Sequence, residues 1–241
     1  MTKGTVSLTG KRVVIVGGTS GLGFAVAELA AELGATLVIA SSTRAKVDAA
    51  LERLANATGA LVDIRREASI VDLLDHVEPF DHLVVTAGDA DPRRFASTDQ
   101  IDLDIAHQAF EARVFGSIAF IKHGRHKLIP GGSITLTSGV LARRTRKGSP
   151  LPTATMGSVE ALVRGFAADL APLRINAVCP GLTLTQTILS RGAERVAALT
   201  AHLPLPRAAS PAEVALAYIY LMLNTYVTGQ ILPVDGGESL V

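Results

Sequence analysis

The chain has 241 residues, 48% of them hydrophobic, and 23 basic against 22 acidic side chains give a formal net charge of +1. That length buries a sizeable core, while a balanced charge excludes a general nucleic-acid binder, which needs a basic footprint. A single cysteine, Cys179, excludes an internal disulfide framework and points to a reducing, cytoplasmic setting.

No apolar run approaches the roughly 18 residues of a membrane span. The opening MTKGTVSLTGKRVVIVGG lacks the apolar stretch and cleavage site of a secretion signal. In chain order the pattern predicts a strand at 12–18, a helix at 24–34, a strand at 36–41 and another at 61–64. A helix at 68–77, a strand at 82–88 and a long helix at 101–124 follow. The last elements are a strand at 133–139, a helix at 157–171, and strands at 175–181 and 230–237. Short β-branched runs alternating with helices predict βαβ units with right-handed crossovers. The expected fold is therefore α/β: a three-layer, Rossmann-like, doubly wound fold around a seven-stranded parallel sheet. With no tandem repeat, low-complexity tract or linker, residues 1–241 read as a single domain.

The first strand runs into Gly17-Gly18-Thr19-Ser20-Gly21-Leu22-Gly23 and then directly into an apolar helix. Such a turn needs positive φ, lets backbone approach a pyrophosphate, and lets the helix pack closely on the strand. The helix N-terminus offers free N–H groups to phosphates. The bland alternative is a strand-to-helix turn that binds nothing.

The G-x-x-x-G-x-G spacing resembles that of the short-chain dehydrogenase/reductase family, and the likeness runs through the chain. Asp63-Ile64 resembles the family's pair after the third strand, which implies adenine contact. Thr86-Ala87-Gly88 stands where the family has Asn-Asn-Ala-Gly or a relative of it, with Val85 in place of the first Asn. Ser138 takes the place of a substrate-orienting serine. Asn176 to Gly181 with Thr183 and Thr185 resembles the turn that cradles the nicotinamide side, so Pro180, Gly181, Thr183 and Thr185 join the implied cofactor set. The tail from Tyr226 to Gly237 is similar to the family's last strand.

Members that bind NAD usually carry Asp after the second strand, a partner for the ribose hydroxyls. Here that position is Ser41, followed by Ser42, Thr43 and Arg44. Loss of the carboxylate removes repulsion against a 2′-phosphate, three hydroxyls can donate to it, and Arg44 can add a charge-assisted pair. NADP(H) is therefore favoured over NAD(H). The competing reading of Arg44 is a solvated residue at a helix start.

The resemblance implies a Tyr-x-x-x-Lys pair on the helix after the fifth strand and an Asn on the preceding long helix. Registering on Val159-Glu160-Ala161-Leu162 puts the tyrosine position at Pro152 and the lysine position at Met156, and Arg113 falls where Asn is expected. The three tyrosines, Tyr218, Tyr220 and Tyr226, all lie near the C-terminus. Ser138 and Arg113 are the candidate catalytic residues. One reading is an oxidoreductase that transfers hydride to or from a small carbonyl or alcohol substrate without the usual pair; the alternative is a non-catalytic NADP(H)-binding sensor or regulatory protein. Residues 182–207 have the length of a substrate lid.

Arg143, Arg144, Arg146 and Lys147 fall in the 139–152 loop, which has no acidic residue, and this suits an acidic or phosphorylated substrate, a tighter hold on cofactor phosphates, or simply a solvated loop. Lys122, Arg125 and Lys127 read as cations at a helix C-terminus. His123 and His126 lack a third ligand, so no metal is expected. Cys179 reads as a small core residue, and Gly131-Gly132 and Gly236-Gly237 as turns. By resemblance the helices at 101–124 and 157–171 imply a homodimer or homotetramer; neither nucleic acid nor membrane is expected as a partner.

Overall fold

The computed structural model describes residues 6–88 and 91–241. Its strands are β1 (Arg12–Val16), β2 (Thr36–Ser41), β3 (Ala57–Leu61), β4 (Phe80–Val85), β5 (Leu128–Thr137), β6 (Arg174–Pro180) and β7 (Ile231–Val234). They form one seven-stranded sheet in the order β3-β2-β1-β4-β5-β6-β7, and every neighbouring pair is parallel. The strand order reverses beside β1, whose two neighbours are β2 and β4. In open α/β sheets that reversal opens a crevice beyond the carboxyl ends of the strands, where ligands bind.

The helices are α1 (Gly21–Glu32), α2 (Arg44–Leu51), α3 (Glu67–His76), α4 (Leu103–Phe110), α5 (Gly116–Gly124), α6 (Pro150–Asp169), α7 (Gln186–Leu189), α8 (Ala193–Thr200) and α9 (Pro211–Leu223). Successive strand residues face opposite sides, and β1 shows the result. Val14 and Val16 enter one core with Ile70 of α3, Phe120 of α5 and Val163 of α6. Val13 and Ile15 enter the other with Phe24 of α1 and Tyr218 of α9. At these depths each large apolar side chain contributes roughly 1.5–3 kcal/mol of burial.

Several predicted boundaries are corrected. The third strand is Ala57–Leu61 rather than 61–64, because it pairs with Leu37–Ser41 and stops where β2 stops; Asp63 and Ile64 then lie in the loop beyond. The helix predicted at 101–124 is broken by a π turn, Glu111–Phe115, between α4 and α5. The helix predicted from 157 begins at Pro150; a proline at the first helical position loses no backbone bond, since that N–H has no partner in the helix anyway. Gly131-Gly132 is an irregularity inside β5 rather than a turn between elements: Gly131 has φ +83° and the β4–β5 register shifts there.

Two buried polar groups tie the far end of the sheet. Arg174 donates to the carbonyls of Leu221 (2.7 Å) and Met222 (2.9 Å), which lack helical partners at the end of α9. His82 Nδ1 lies 2.9 Å from Ser133 Oγ between β4 and β5. Among the described residues no helix is long and apolar enough to cross a membrane.

Candidate dinucleotide and substrate site

The glycine turn leaves β1 at Gly17, whose φ of +85° suits only glycine. A Cβ there would stand 2.7 Å from Ala87 N, and one on Gly23 would overlap the Gly17 carbonyl oxygen and Thr86 Oγ1. This close packing joins the turn to the end of β4. The backbone N–H of Thr86 donates to Val16 O at 2.9 Å and that of Ala87 at 3.1 Å, and Thr86 Oγ1 donates to the same oxygen at 3.0 Å. Thr19 and Ser20 lead into α1, and the Ser20 side chain makes no capping bond, so the first N–H groups of Gly21, Leu22 and Gly23 are left for an acceptor outside the helix. Leu22 packs on the core. These features fit a dinucleotide pyrophosphate: a backbone cradle too tight for Cβ atoms, beside an uncapped helix end.

A cavity of about 260 Å³ opens beside the turn. Gly17, Ser41, Ser42, Asp63, Ile64, Ala87 and Gly88 line it, all sequence-predicted, together with Arg65, Gln108 and Ala112, which sequence reasoning did not single out. Thr43 and Arg44 are outside that lining: Thr43 is the N-cap of α2 and Arg44 its first residue, both exposed. Arg65 forms a fork on Asp63, Nε to Oδ1 at 3.0 Å and Nη2 to Oδ2 at 3.1 Å. Hydrogen bonding from Arg65 holds the Asp63 carboxyl below its ordinary range. A basic residue two positions after Asp63 was the available signal.

At the other end, Arg113 in the π turn lays its guanidinium on Gly88, where a Cβ would stand 2.6 Å from Arg113 Cζ. Its Nη1 donates to Thr137 O at 3.0 Å, so the cation spans the carboxyl ends of β4 and β5. Ser117 Oγ donates to the Arg113 carbonyl at 2.6 Å. Ser138, buried just past β5, places its hydroxyl 3.2 Å from both Met156 O and Glu160 Oε1. Glu160 also accepts from Arg143 Nε at 3.2 Å, so the basic loop has an acidic partner supplied by α6. Pro152 is buried in the first turn of α6, and Met156 packs its Sδ against Gly139, where a Cβ would stand 2.7 Å away.

Tyr218 is fully buried; Thr137 Oγ1 donates to Val85 O at 2.8 Å and lies 2.7 Å from the Tyr218 hydroxyl. Burial raises the tyrosine's pKa above its ordinary value. Tyr220 and Tyr226 are exposed. Cys179 is a core thiol, pushed up to about 12 by burial and by the charge of Glu160.

β6 ends at Pro180, and Gly181 packs on Asp235, whose Cα would be 2.8 Å from an added Cβ. Thr183 Oγ1 donates to Gly181 O at 3.1 Å. Thr185, the N-cap of α7, comes within 3.3 Å of a Cβ built on Gly21. The loop after β6 thus reaches the glycine turn, and the two halves of the expected cofactor set meet. Away from this crevice, Lys122 and His123 contact Glu67 of α3 at 2.8 and 2.7 Å.

A family model described as enoyl-(acyl carrier protein) reductase matches residues 16–239. The short-chain dehydrogenase/reductase ucsE of Acremonium sp is 35% identical, covering 95% of this chain and 96% of that relative. The short-chain dehydrogenase/reductase malC of Malbranchea aurantiaca is 36% identical, covering 97% and 96%. A solved structure described as the MalC reductase/Diels-Alderase from Malbranchea aurantiaca superposes with TM-score 0.89 at 32% identity over 98% of each chain. A small-chain dehydrogenase solved in complex with NADPH superposes with TM-score 0.81 at 30% identity, over 96% of this chain and 99% of that one.

Proposed function

The chain belongs to the short-chain dehydrogenase/reductase family, and from that premise we propose that it is an NADP(H)-dependent oxidoreductase of a small carbonyl or alcohol substrate that works without a Tyr-x-x-x-Lys pair. One observation carries the reading: the glycine turn, the end of β4 and the Arg113 guanidinium converge at the strand-order reversal. Gly17 to Gly23 hold the pyrophosphate, Asp63 and Ile64 flank the adenine side, and Pro180, Gly181, Thr183 and Thr185 flank the nicotinamide side. Ser41, Ser42 and Thr43 supply hydroxyl donors toward a 2′-phosphate, and Arg44 supplies charge from the start of α2. The small-chain dehydrogenase solved with NADPH supports the choice of cofactor.

The bound cofactor supplies hydride transfer, and the chain supplies orientation and electrostatics. Arg113 is permanently charged, so it stabilises negative charge on an oxygen held near the ends of β4 and β5. It is a poor proton donor, and Pro152 and Met156 at the expected tyrosine and lysine positions offer none. The proton therefore comes from water or substrate. Arg144, Arg146 and Lys147 suit an acidic substrate, and residues 182–207 cover it. In the same reading the chain is one domain that self-associates in the cytoplasm, in line with the exposed Leu103 and Phe115.

The rival reading, dinucleotide binding without turnover, is favoured by the burial of Tyr218 and the exposure of Tyr220 and Tyr226 away from the crevice. Calorimetric titration with NADPH and NADH followed by a carbonyl-substrate screen separates the two. Micromolar NADPH binding, weaker NADH binding and turnover of any screened substrate are expected. Binding without turnover favours the rival, and binding of neither nucleotide overturns both.

A further inference from the structure

We propose that Arg65 is the adenine-contacting residue of this chain and that Asp63 acts through it, as a positioning residue. The inference rests on the cofactor reading above. The resemblance gives the adenine contact to Asp63, but the geometry occupies that carboxylate differently. Oδ1 accepts from the Arg65 backbone N–H at 3.1 Å and from Nε at 3.0 Å, and Oδ2 accepts from Nη2 at 3.1 Å. Both oxygens hold one guanidinium, and the Asp63 backbone N–H is bound to Ser69 Oγ at 3.0 Å. The loop after β3 is therefore fixed at both Asp63 and Arg65.

What such a fork presents to the cavity is a flat cation. Its edge is engaged by the carboxylate, while stacking uses the face of the plane, which edge bonds leave accessible. A phosphate is a poor occupant here: it would bind at the guanidinium edge, where Asp63 already takes Nε–H and one Nη2–H, and would sit beside a carboxylate of like charge. An aromatic base meets neither obstacle and gains cation–π attraction. The hydroxyls of Ser41 and Ser42 line the same cavity, so the polar contacts suited to a 2′-phosphate sit on β2, apart from the stacking surface. Arg65 keeps 51% of its side-chain surface exposed and Asp63 33%, so a ligand can reach the guanidinium without opening the fold.

The test is calorimetry on the whole chain with NADPH, NADH and nicotinamide mononucleotide, the last lacking adenine. Arg65→Gln is expected to weaken NADPH and NADH by the same factor, about three- to tenfold, and to leave nicotinamide mononucleotide unchanged. Arg65→Lys keeps the charge but not the plane and should not restore affinity. Asp63→Asn should weaken both dinucleotides in the same proportion. Loss confined to NADPH overturns the proposal by assigning Arg65 to the 2′-phosphate, as does unchanged binding of both or full rescue by lysine. If the unsubstituted chain binds neither dinucleotide, the cofactor reading fails and takes this inference with it; if it binds both and the variants match it, only this inference fails.

Discussion

Acidification should destabilise this protein through His82 before its ion-paired carboxylates titrate. The imidazole is 5% exposed on β4, and burial pushes its pKa down to about 4 from the ordinary 6.5, Asp81 opposing and Arg174 and Lys11 reinforcing the fall. The folded state therefore keeps His82 neutral where the unfolded chain takes up a proton. Stability linked to this group is fully present above pH 6.5 and is lost as the pH falls toward 4. A gap of that size amounts to about 3 kcal/mol, a large part of a typical net stability of roughly 5–15 kcal/mol. Glu67, lowered to about 2 by Lys122 and His123, and Glu213, lowered to about 2 by Arg207, begin to lose their contributions only below about 4.5, at the foot of this window. Glu238, raised by burial, shifts the balance in the opposite direction, so the comparison must be made against a variant. Urea denaturation of the protein and of His82→Gln at pH 7.0, 5.5 and 4.5 makes it. The variant should begin less stable, having lost the fit to Ser133, and then lose less on acidification. Parallel losses in the two proteins would refute the assignment to His82.

Four other outcomes are expected. Arg113→Ala should reduce turnover or oxidised-cofactor affinity at least tenfold, while Arg125→Ala, exposed beyond α5, should leave both unchanged; equal effects would remove Arg113 from the site. Gly23→Ala forces a methyl onto the Gly17 carbonyl and should cut dinucleotide affinity more than tenfold, measured by titration and checked by thermal unfolding. By contrast Gly165→Ala on α6 meets open space and should raise stability by about 0.4–1 kcal/mol, read from the urea midpoint. Cys179 should stay unlabelled by a thiol reagent at pH 8 until the chain is unfolded, because burial holds the thiol protonated at that pH; rapid native labelling would contradict the burial.

The features most legible in the sequence were those with a short-range physical cause. β1 is a run of Val and Ile that stops at Gly17, β4 follows Pro79 and closes on Leu83-Val84-Val85, β6 ends at Pro180, and the Gly17–Gly23 turn announces its own conformation. What escaped was decided across space. β3 is a weak edge strand, Ala-Thr-Gly-Ala-Leu, and only pairing with β2 defines it. α6 hides behind Pro150, Pro152 and Gly157, residues that read as breakers until the first turn is seen to accept the prolines. The π turn has no one-dimensional signal, although Gly116 hints at it: a Cβ there would lie 2.6 Å from the Ile64 carbonyl, so the helix must pass close to the loop after β3. At the site, Arg44 drew notice for its place after Ser41–Thr43, whereas Arg65 lines the cavity because a carboxylate two residues away turns it inward. Glu160 carries no site signal in the sequence, because its pairing with Ser138 and Arg143 depends on α6 lying against the loop that follows β5.

The π turn has a further consequence for what this segment tolerates. Each residue of an α-helix advances the direction of its side chain by about 100°, and a π turn accommodates one residue more than the α-helix would. α4, with Ile105 and Ala109 buried, and α5, with Phe120 and Ile121 buried, are thus two periodic patterns with a phase step between them. Deleting a single residue from Glu111–Phe115 would erase the step and merge the patterns into one continuous period. A regular α-helix could then carry both buried faces, whereas forcing α geometry on the stretch with every residue kept would rotate α5 by about 100° against α4 and turn either Ile105 and Ala109 or Phe120 out of the core. The extra residue and the π geometry are therefore matched: losing both together leaves the layer in place, while losing the geometry alone disturbs it.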